Sequence, residues 1–139
     1  MIVRTSELTL NTEGFNDFHD ITPTLKRALR ESGVVEGLLT VINPGSTGAI
    51  TTIEFESGAL NDLRDALEKI ASMEAEYAHN LRWGDGNGFS HVRSALMKPS
   101  LSVPVVGGEL CLGTWQQVAF LDFDNKPRSR SLVINIMGI

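Results

Sequence analysis

The sequence predicts an α+β domain, and three observations predict it. β-Branched, alternating segments crowd both ends of the chain, and two stretches of helical period interrupt them. The order runs strands, two helices, more strands, which disfavours an alternating α/β wrap. At 139 residues the chain reads as one domain, 1–139, long enough to bury most of the apolar surface its unfolded form exposes.

Residues 2–10 alternate apolar and polar side chains and read as a half-buried strand. Residues 11–20 form a turn-rich stretch with Phe15 and Phe18 as anchors. Thr22 and Pro23 supply a cap and a first-turn proline, Leu25, Ala28 and Leu29 a stripe, and Gly33 a stop, which predicts a helix over 23–32. Residues 34–43 and 49–56 read as strands joined by the Pro-Gly-rich segment 43–48. Leu60, Leu63, Leu67 and Ile70 recur at helical spacing and predict an amphipathic helix over 59–72. A third, short helix over 87–98 starts at Asn87 as cap and stops at Pro99. Strands follow at 101–106, 109–112, 115–124 and 129–137.

Composition excludes several classes. The chain is 42% hydrophobic and 21% charged, as an ordinary soluble protein is. Its net charge of -5 and the lack of a basic run interleaved with aromatics argue against a nucleic-acid partner. No apolar run is long enough for a membrane span, and the amino terminus lacks a signal peptide, so a cytoplasmic location is expected. The single Cys111 rules out an internal disulfide framework; among apolar neighbours it is expected to be buried and inert.

The chemistry-bearing residues crowd into Tyr77-Ala-His79, Trp83-Gly-Asp-Gly-Asn-Gly-Phe-Ser-His91 and Leu112-Gly-Thr-Trp-Gln-Gln117. His79 is the preferred proton-transfer candidate, because imidazole changes charge near neutral pH; a hydrogen-bonded structural histidine is the alternative. His91 is either a second site imidazole or a half-buried helix residue. Asp85 and Asn87 can orient a substrate or a hydrated Mg2+, though Asp-Gly-Asn-Gly is also a turn sequence. Ser46, Thr47 and Gly48 with freed backbone amides can meet an anion, and Arg128 and Arg130, two apart, can add charge-assisted contacts. Both arginines also fit an exposed strand end. Trp115 is assigned mainly to packing and Gln116 to a strand, where it packs or lines the cleft. His79 and His91, with Glu54 or Asp85 as a third ligand, are the candidates for Zn2+ or another divalent metal.

The segments Gly45-Ser-Thr-Gly-Ala-Ile-Thr-Thr-Ile-Glu54, Tyr77-Ala-His79, Asp85-Gly-Asn-Gly-Phe-Ser-His91, Leu112-Gly-Thr-Trp-Gln116 and Pro127-Arg-Ser-Arg130 stand in an order that resembles the YjbQ-like family, whose members often carry a secondary thiamine-phosphate synthase label. The resemblance implies a small β-sandwich with two main helices, a homotrimer packed through its sheets, and a polar cleft. It implies site roles for Glu54, the carboxylate after the Gly-Ser-Thr-Gly loop, and for His91, the last motif histidine. Two departures matter. Many members carry His-Thr-Thr-Ala where this chain has Gly45 to Gly48, and His-x-His where it has Phe89-Ser90-His91, so a histidine-based metal site is depleted.

Two functions follow as expectations. One is a weak or secondary transferase that joins a pyrimidine diphosphate and a thiazole phosphate with loss of pyrophosphate, using His79, Asn87, His91 and Glu54 and helped by Mg2+. The other is a non-catalytic or regulatory oligomer that binds a small anionic metabolite or a divalent metal in the same cleft.

Overall fold

Two antiparallel sheets and four helices make up the computed structural model, which describes residues 1–139. The elements are β1 (Ile2–Thr12), β2 (Asp17–Asp20), α1 (Thr22–Ser32), β3 (Gly37–Ile42), β4 (Gly48–Ile53), α2 (Ser57–Ile70), α3 (Ala78–Trp83), α4 (Gly88–Met97), β5 (Ser100–Val106), β6 (Glu109–Leu110), β7 (Gln117–Asp122) and β8 (Arg128–Gly138). The larger sheet runs β1-β8-β3-β5-β6 and the smaller β2-β7-β4. β7 and β8 are consecutive yet belong to different sheets, so residues 123–127 carry the chain across the sandwich. That crossing positions the site. No helix is long and apolar enough to cross a membrane.

The period-2 alternation of the strands sorts side chains into two cores. Leu39, Val41, Val103, Val105, Leu132, Ile134 and Ile136 of the larger sheet meet Ile50, Val118 and Phe120 of the smaller one, with Ile21 just before α1 and Leu25 and Leu29 of α1 wedged against both. The opposite face of the smaller sheet carries Ala49, Ala119 and Leu121, which pack with Phe18, Phe123 and the α2 residues Leu60 and Leu67. The other face of the larger sheet is uncovered. There Val3, Met137, Leu38 and Pro104 form one row across four strands, and Thr5, Asn135, Thr40 and Ser102 the next. Asn135 Nδ2 donates to Thr5 Oγ1 at 2.8 Å and the Thr40 and Ser102 hydroxyls pair at 2.7 Å, so the polar row is tied sideways.

The helix ends show which local signals operate. Gly33 closes α1 at φ 75°, a left-handed conformation that favours glycine, and its N–H reaches the Arg30 carbonyl. Thr22 does not cap that helix; its hydroxyl instead accepts from the Val118 N–H at 2.8 Å and fastens α1 to β7. α2 starts two residues before the expected helix because Glu56 caps it, accepting from Gly58 N–H at 2.7 Å and Ala59 N–H at 2.8 Å. The Ala59 and Gly58 N–H groups hold the Glu56 carboxyl below its ordinary range. Ile70, assigned to the buried stripe, is exposed at the last turn. Residues 11–20, expected as turns, include the short edge strand β2, and α3 falls in a stretch to which the sequence assigns no element.

Candidate functional site

Gly88 brings the two motif histidines together. A Cβ there would lie 2.5 Å from Tyr77 Cβ and 3.0 Å from Asn80 Oδ1, so only glycine lets the start of α4 close onto α3. The Gly88 N–H donates to Asn80 Oδ1 at 2.8 Å. In consequence His79 on α3 and His91 on α4 stack with ring centroids 4.3 Å apart and planes inclined at 40°. His79 Nδ1 lies 3.2 Å from Asp85 Oδ1, but off the axis of a hydrogen bond, so this buried nitrogen has no partner.

Asn87 stands before α4 without capping it. Its Oδ1 accepts from Ser90 Oγ at 2.6 Å and from the Asn125 N–H at 3.2 Å, while Asn125 Nδ2 donates to the Asp85 carbonyl at 2.7 Å. The crossing segment is thereby tied to the histidine pair. Arg93, fully buried on α4, fixes the helix from beneath: it donates to the Ala71 carbonyl, to Asn16 Oδ1 at 2.9 Å and to Glu68 Oε2 at 2.7 Å. A hydrogen bond from Ser72 and the pull of Arg93 outweigh the upward effect of burial and lower the Glu68 carboxyl.

At the ends of the same crossing lie two fully buried carboxylates, Asp122 and Asp124. Arg130 donates to Asp122 from Nε at 2.8 Å and from Nη2 at 2.9 Å, and Arg128 Nε donates to Asp124 Oδ2 at 3.0 Å. Thr47 Oγ1 donates to Asp124 Oδ2 at 2.9 Å and accepts from Arg130 Nη2 at 2.8 Å. Burial on its own raises the Asp124 carboxyl; hydrogen bonds from Thr47 and Arg128, with the charge of Arg130, outweigh it and hold the group below its ordinary value. Neither arginine is a bare surface charge, and Arg130 is only 12% exposed.

The loop 43–48 connects this network to the histidines. Arg130 commits Nε and Nη2, but its Nη1 lies 3.4 Å from where a Cβ on Gly45 would sit. Both side-chain polar atoms of Asn43 lie 3.5 Å from that same point, and Asn43 Nδ2 is buried with no partner. The gap adjoins a concavity of about 260 Å³ lined by Gly45, Ser46, His91, Ser94, Ala95 and Pro99. Ser46, Thr47, Gly48, His79, Asp85, Asn87, His91, Arg128 and Arg130 therefore belong to one contiguous region. Glu54 does not: it is exposed beyond the far end of β4, on the order of 20 Å from Gly48 at strand rise.

Gln116 lies elsewhere too, on a turn instead of a strand, lining a second cleft with Cys111. Trp115, assigned to packing, is 74% exposed on that turn, because the strand starts only at Gln117. Cys111 is exposed, since apolar neighbours in sequence alternate to opposite sides of an extended chain. No group of three His, Cys, Asp or Glu side chains is arranged to hold a metal. Two imidazoles fall short of the three protein ligands that a catalytic Zn2+ takes. Mg2+ gains no buried ligand set either: the one buried carboxylate oxygen without a partner, Asp124 Oδ1, sits in a group already held by Arg128, with Arg130 Nη2 at 3.7 Å from its other oxygen.

Sequence reasoning missed Asn43, Asn80, Arg93, Asp122, Asp124 and Asn125. One signal was available, the pair of acidic residues spaced two apart ahead of two arginines spaced two apart; the others are single polar residues with no pattern.

A family model described as "UPF0047 protein YjbQ-like" matches residues 6–139. A UPF0047 protein of Methanothermobacter thermautotrophicus is 38% identical over 99% of this chain and 94% of its own length. One of Archaeoglobus fulgidus is 35% identical over 94% and 99%. Among solved structures, a YbjQ-like protein of unknown function from Sulfolobus solfataricus superposes with TM-score 0.93 at 25% identity, covering 99% of this chain and 98% of that one. A hypothetical protein from Aeropyrum pernix superposes with TM-score 0.91 at 31% identity, covering 98% and 99%.

Proposed function

This chain belongs to the YjbQ-like UPF0047 family, and from that premise we propose that it binds a small phosphorylated metabolite between the 43–48 loop and the stacked histidines and moves a proton on it. One observation carries the reading: the unpartnered Asn43 amide and the spare Nη1 of Arg130 converge on the empty side-chain position of Gly45, beside His91. Two preorganised donors with Ser46 at the rim suit one phosphate group. The carboxylates and arginines balance in charge, so the site offers directed donors more than net positive potential. His79 and His91 are the acid and base, and the Asp85 carboxylate lies 3.2 Å from His79 Nδ1.

Thiamine-phosphate synthase-like transfer is proposed as a secondary activity of this cleft. There the thiazole nitrogen attacks the methylene carbon of the pyrimidine diphosphate as its bond to pyrophosphate breaks, and the donors at Gly45 stabilise the departing anion. The uncovered outer face of the larger sheet, with its row of Val3, Leu38, Pro104 and Met137, supports a homotrimer packed through that face, and a cytoplasmic location is proposed with it. The deciding experiment measures product from the two precursors with Mg2+ in wild type and in a His79→Ala protein of equal fold stability. Product above the uncatalysed background, falling about 100-fold in the variant, is expected. No product in wild type would sink the transferase arm.

A further inference from the structure

The two sheets part along β4 and β5, and the gap has a shape of its own. The Ile50 N–H points away from β7 and meets the Lys98 carbonyl at 3.1 Å; by strand alternation the N–H and C=O of Thr52 point the same way. On β5 the Pro104 carbonyl points away from β3 and accepts from the Cys111 N–H at 3.0 Å, so Ser100 and Ser102 present their backbone groups to the same side. No strand pairs with either edge there. At the far end the 111–116 turn bridges the edges, Cys111 to Pro104 and Gln116 Nε2 to Thr52 Oγ1 at 3.2 Å. The result is a three-sided frame around a cleft of about 410 Å³, half apolar and half polar, in which Lys98 is the one charged lining residue.

Lys98 also holds a backbone that costs stability. Its φ of 75° and ψ of 150° lie in a region that glycine enters readily and a lysine does not. Glycine would make the same turn more cheaply, so the strain implies a use for the side chain.

We propose that this cleft is a second ligand site, separate from the phosphate site, for a small monocarboxylate with an adjoining amide, as in an N-acyl amino acid or a peptide carboxyl terminus. Lys98 takes the carboxylate. The free edges of β4 and β5 offer the N–H and C=O groups that an amide needs, as edge strands do for added peptide. Ile50, Met97, Leu101, Val103 and Leu112 accept an aliphatic side chain.

The probe is N-acetyl-leucine, followed by backbone amide shifts in the intact protein. Saturable shifts at 50–52, 100–104 and 111–116 are expected, with binding about tenfold weaker or worse for N-acetyl-leucinamide, which lacks the charge. Lys98→Gly relieves the positive φ, so its melting temperature should rise while binding weakens by a similar factor. Cys111 is the only cysteine and lines the cleft, so N-acetyl-leucine should slow its alkylation and inorganic phosphate should not. Equal binding of acid and amide, unchanged binding in Lys98→Gly, or no shifts in the frame would overturn the proposal. A peptide ending in leucine that binds better than the acyl amino acid identifies a carboxyl terminus as the source; the reverse identifies a metabolite.

Discussion

Arg130→Met tests the buried charge network under the proposed phosphate site. The guanidinium makes three hydrogen bonds of 2.8 to 2.9 Å, two to Asp122 and one to Thr47. Removing it leaves Asp122, 0% exposed, with only the Thr12 hydroxyl and the Asp124 N–H as partners. Breaking a buried pair by removing one partner costs about 3–5 kcal/mol, because a charge stays behind in a poor solvent. Against a total of about 5–15 kcal/mol, that is a large fraction of the stability of such a domain. Adding Asp122→Asn removes the stranded charge and keeps an acceptor for the Asp124 N–H. The double variant should therefore be more stable than Arg130→Met alone, with a coupling of about 2 kcal/mol or more. Urea unfolding of the four proteins, at equal m-values, gives the numbers. A loss below about 1 kcal/mol for Arg130→Met, the scale of a surface pair, would refute the reasoning, and so would strict additivity.

Acid stability follows from Asp124. Its folded pKa lies below the ordinary value of 3.8, so its contribution is fully present above that value and is lost as pH falls through the folded one. Asp124→Asn should flatten the stability profile below about pH 4, and chemical unfolding between pH 2 and 6 checks it. Gly88→Ala should push α3 off α4 and cost about 1–3 kcal/mol, and contacts between the His79 and His91 rings in nuclear Overhauser spectra should disappear. Leu25→Ala, at a fully buried position between the sheets, should cost about 2–5 kcal/mol in urea with no loss of phosphate binding.

How far the sequence could be read depended on whether a signal was periodic. The Leu25 and Leu29 stripe with Pro23 and Gly33 placed α1 within a residue, since propensity, stripe and stop agree there. α3 buries none of its residues, so no apolar stripe announced it, and β2 has four residues with Phe18 alone buried. Trp115 reads as a strand residue by propensity, but Gln116 bends back to accept from the Gly113 N–H at 3.0 Å and turns the chain outward. In the candidate site, the grouping of His79, Asp85, Asn87 and His91 was legible because glycines and polar residues cluster around them. Asn43, Asp122 and Asp124 were not, because their roles depend on the chain crossing between sheets, a long-range fact with no local trace. Glu54, given a site role by the resemblance, stands apart because the extended length of β4 separates it from the 45–48 loop.

The most direct measurement is a titration with inorganic phosphate followed by nuclear magnetic resonance, in wild type and in Gly45→Val. The valine side chain would fill the gap before Asn43 and Arg130, where a Cβ 3.4 Å from Nη1 makes an ordinary contact. In wild type the Asn43 side-chain amide, the Gly45 and Ser46 backbone amides and the His91 ring should shift together and saturate, and in Gly45→Val the affinity should fall about tenfold or more. Shifts confined to other surfaces, or equal affinity in the two proteins, would contradict the assignment of the phosphate site.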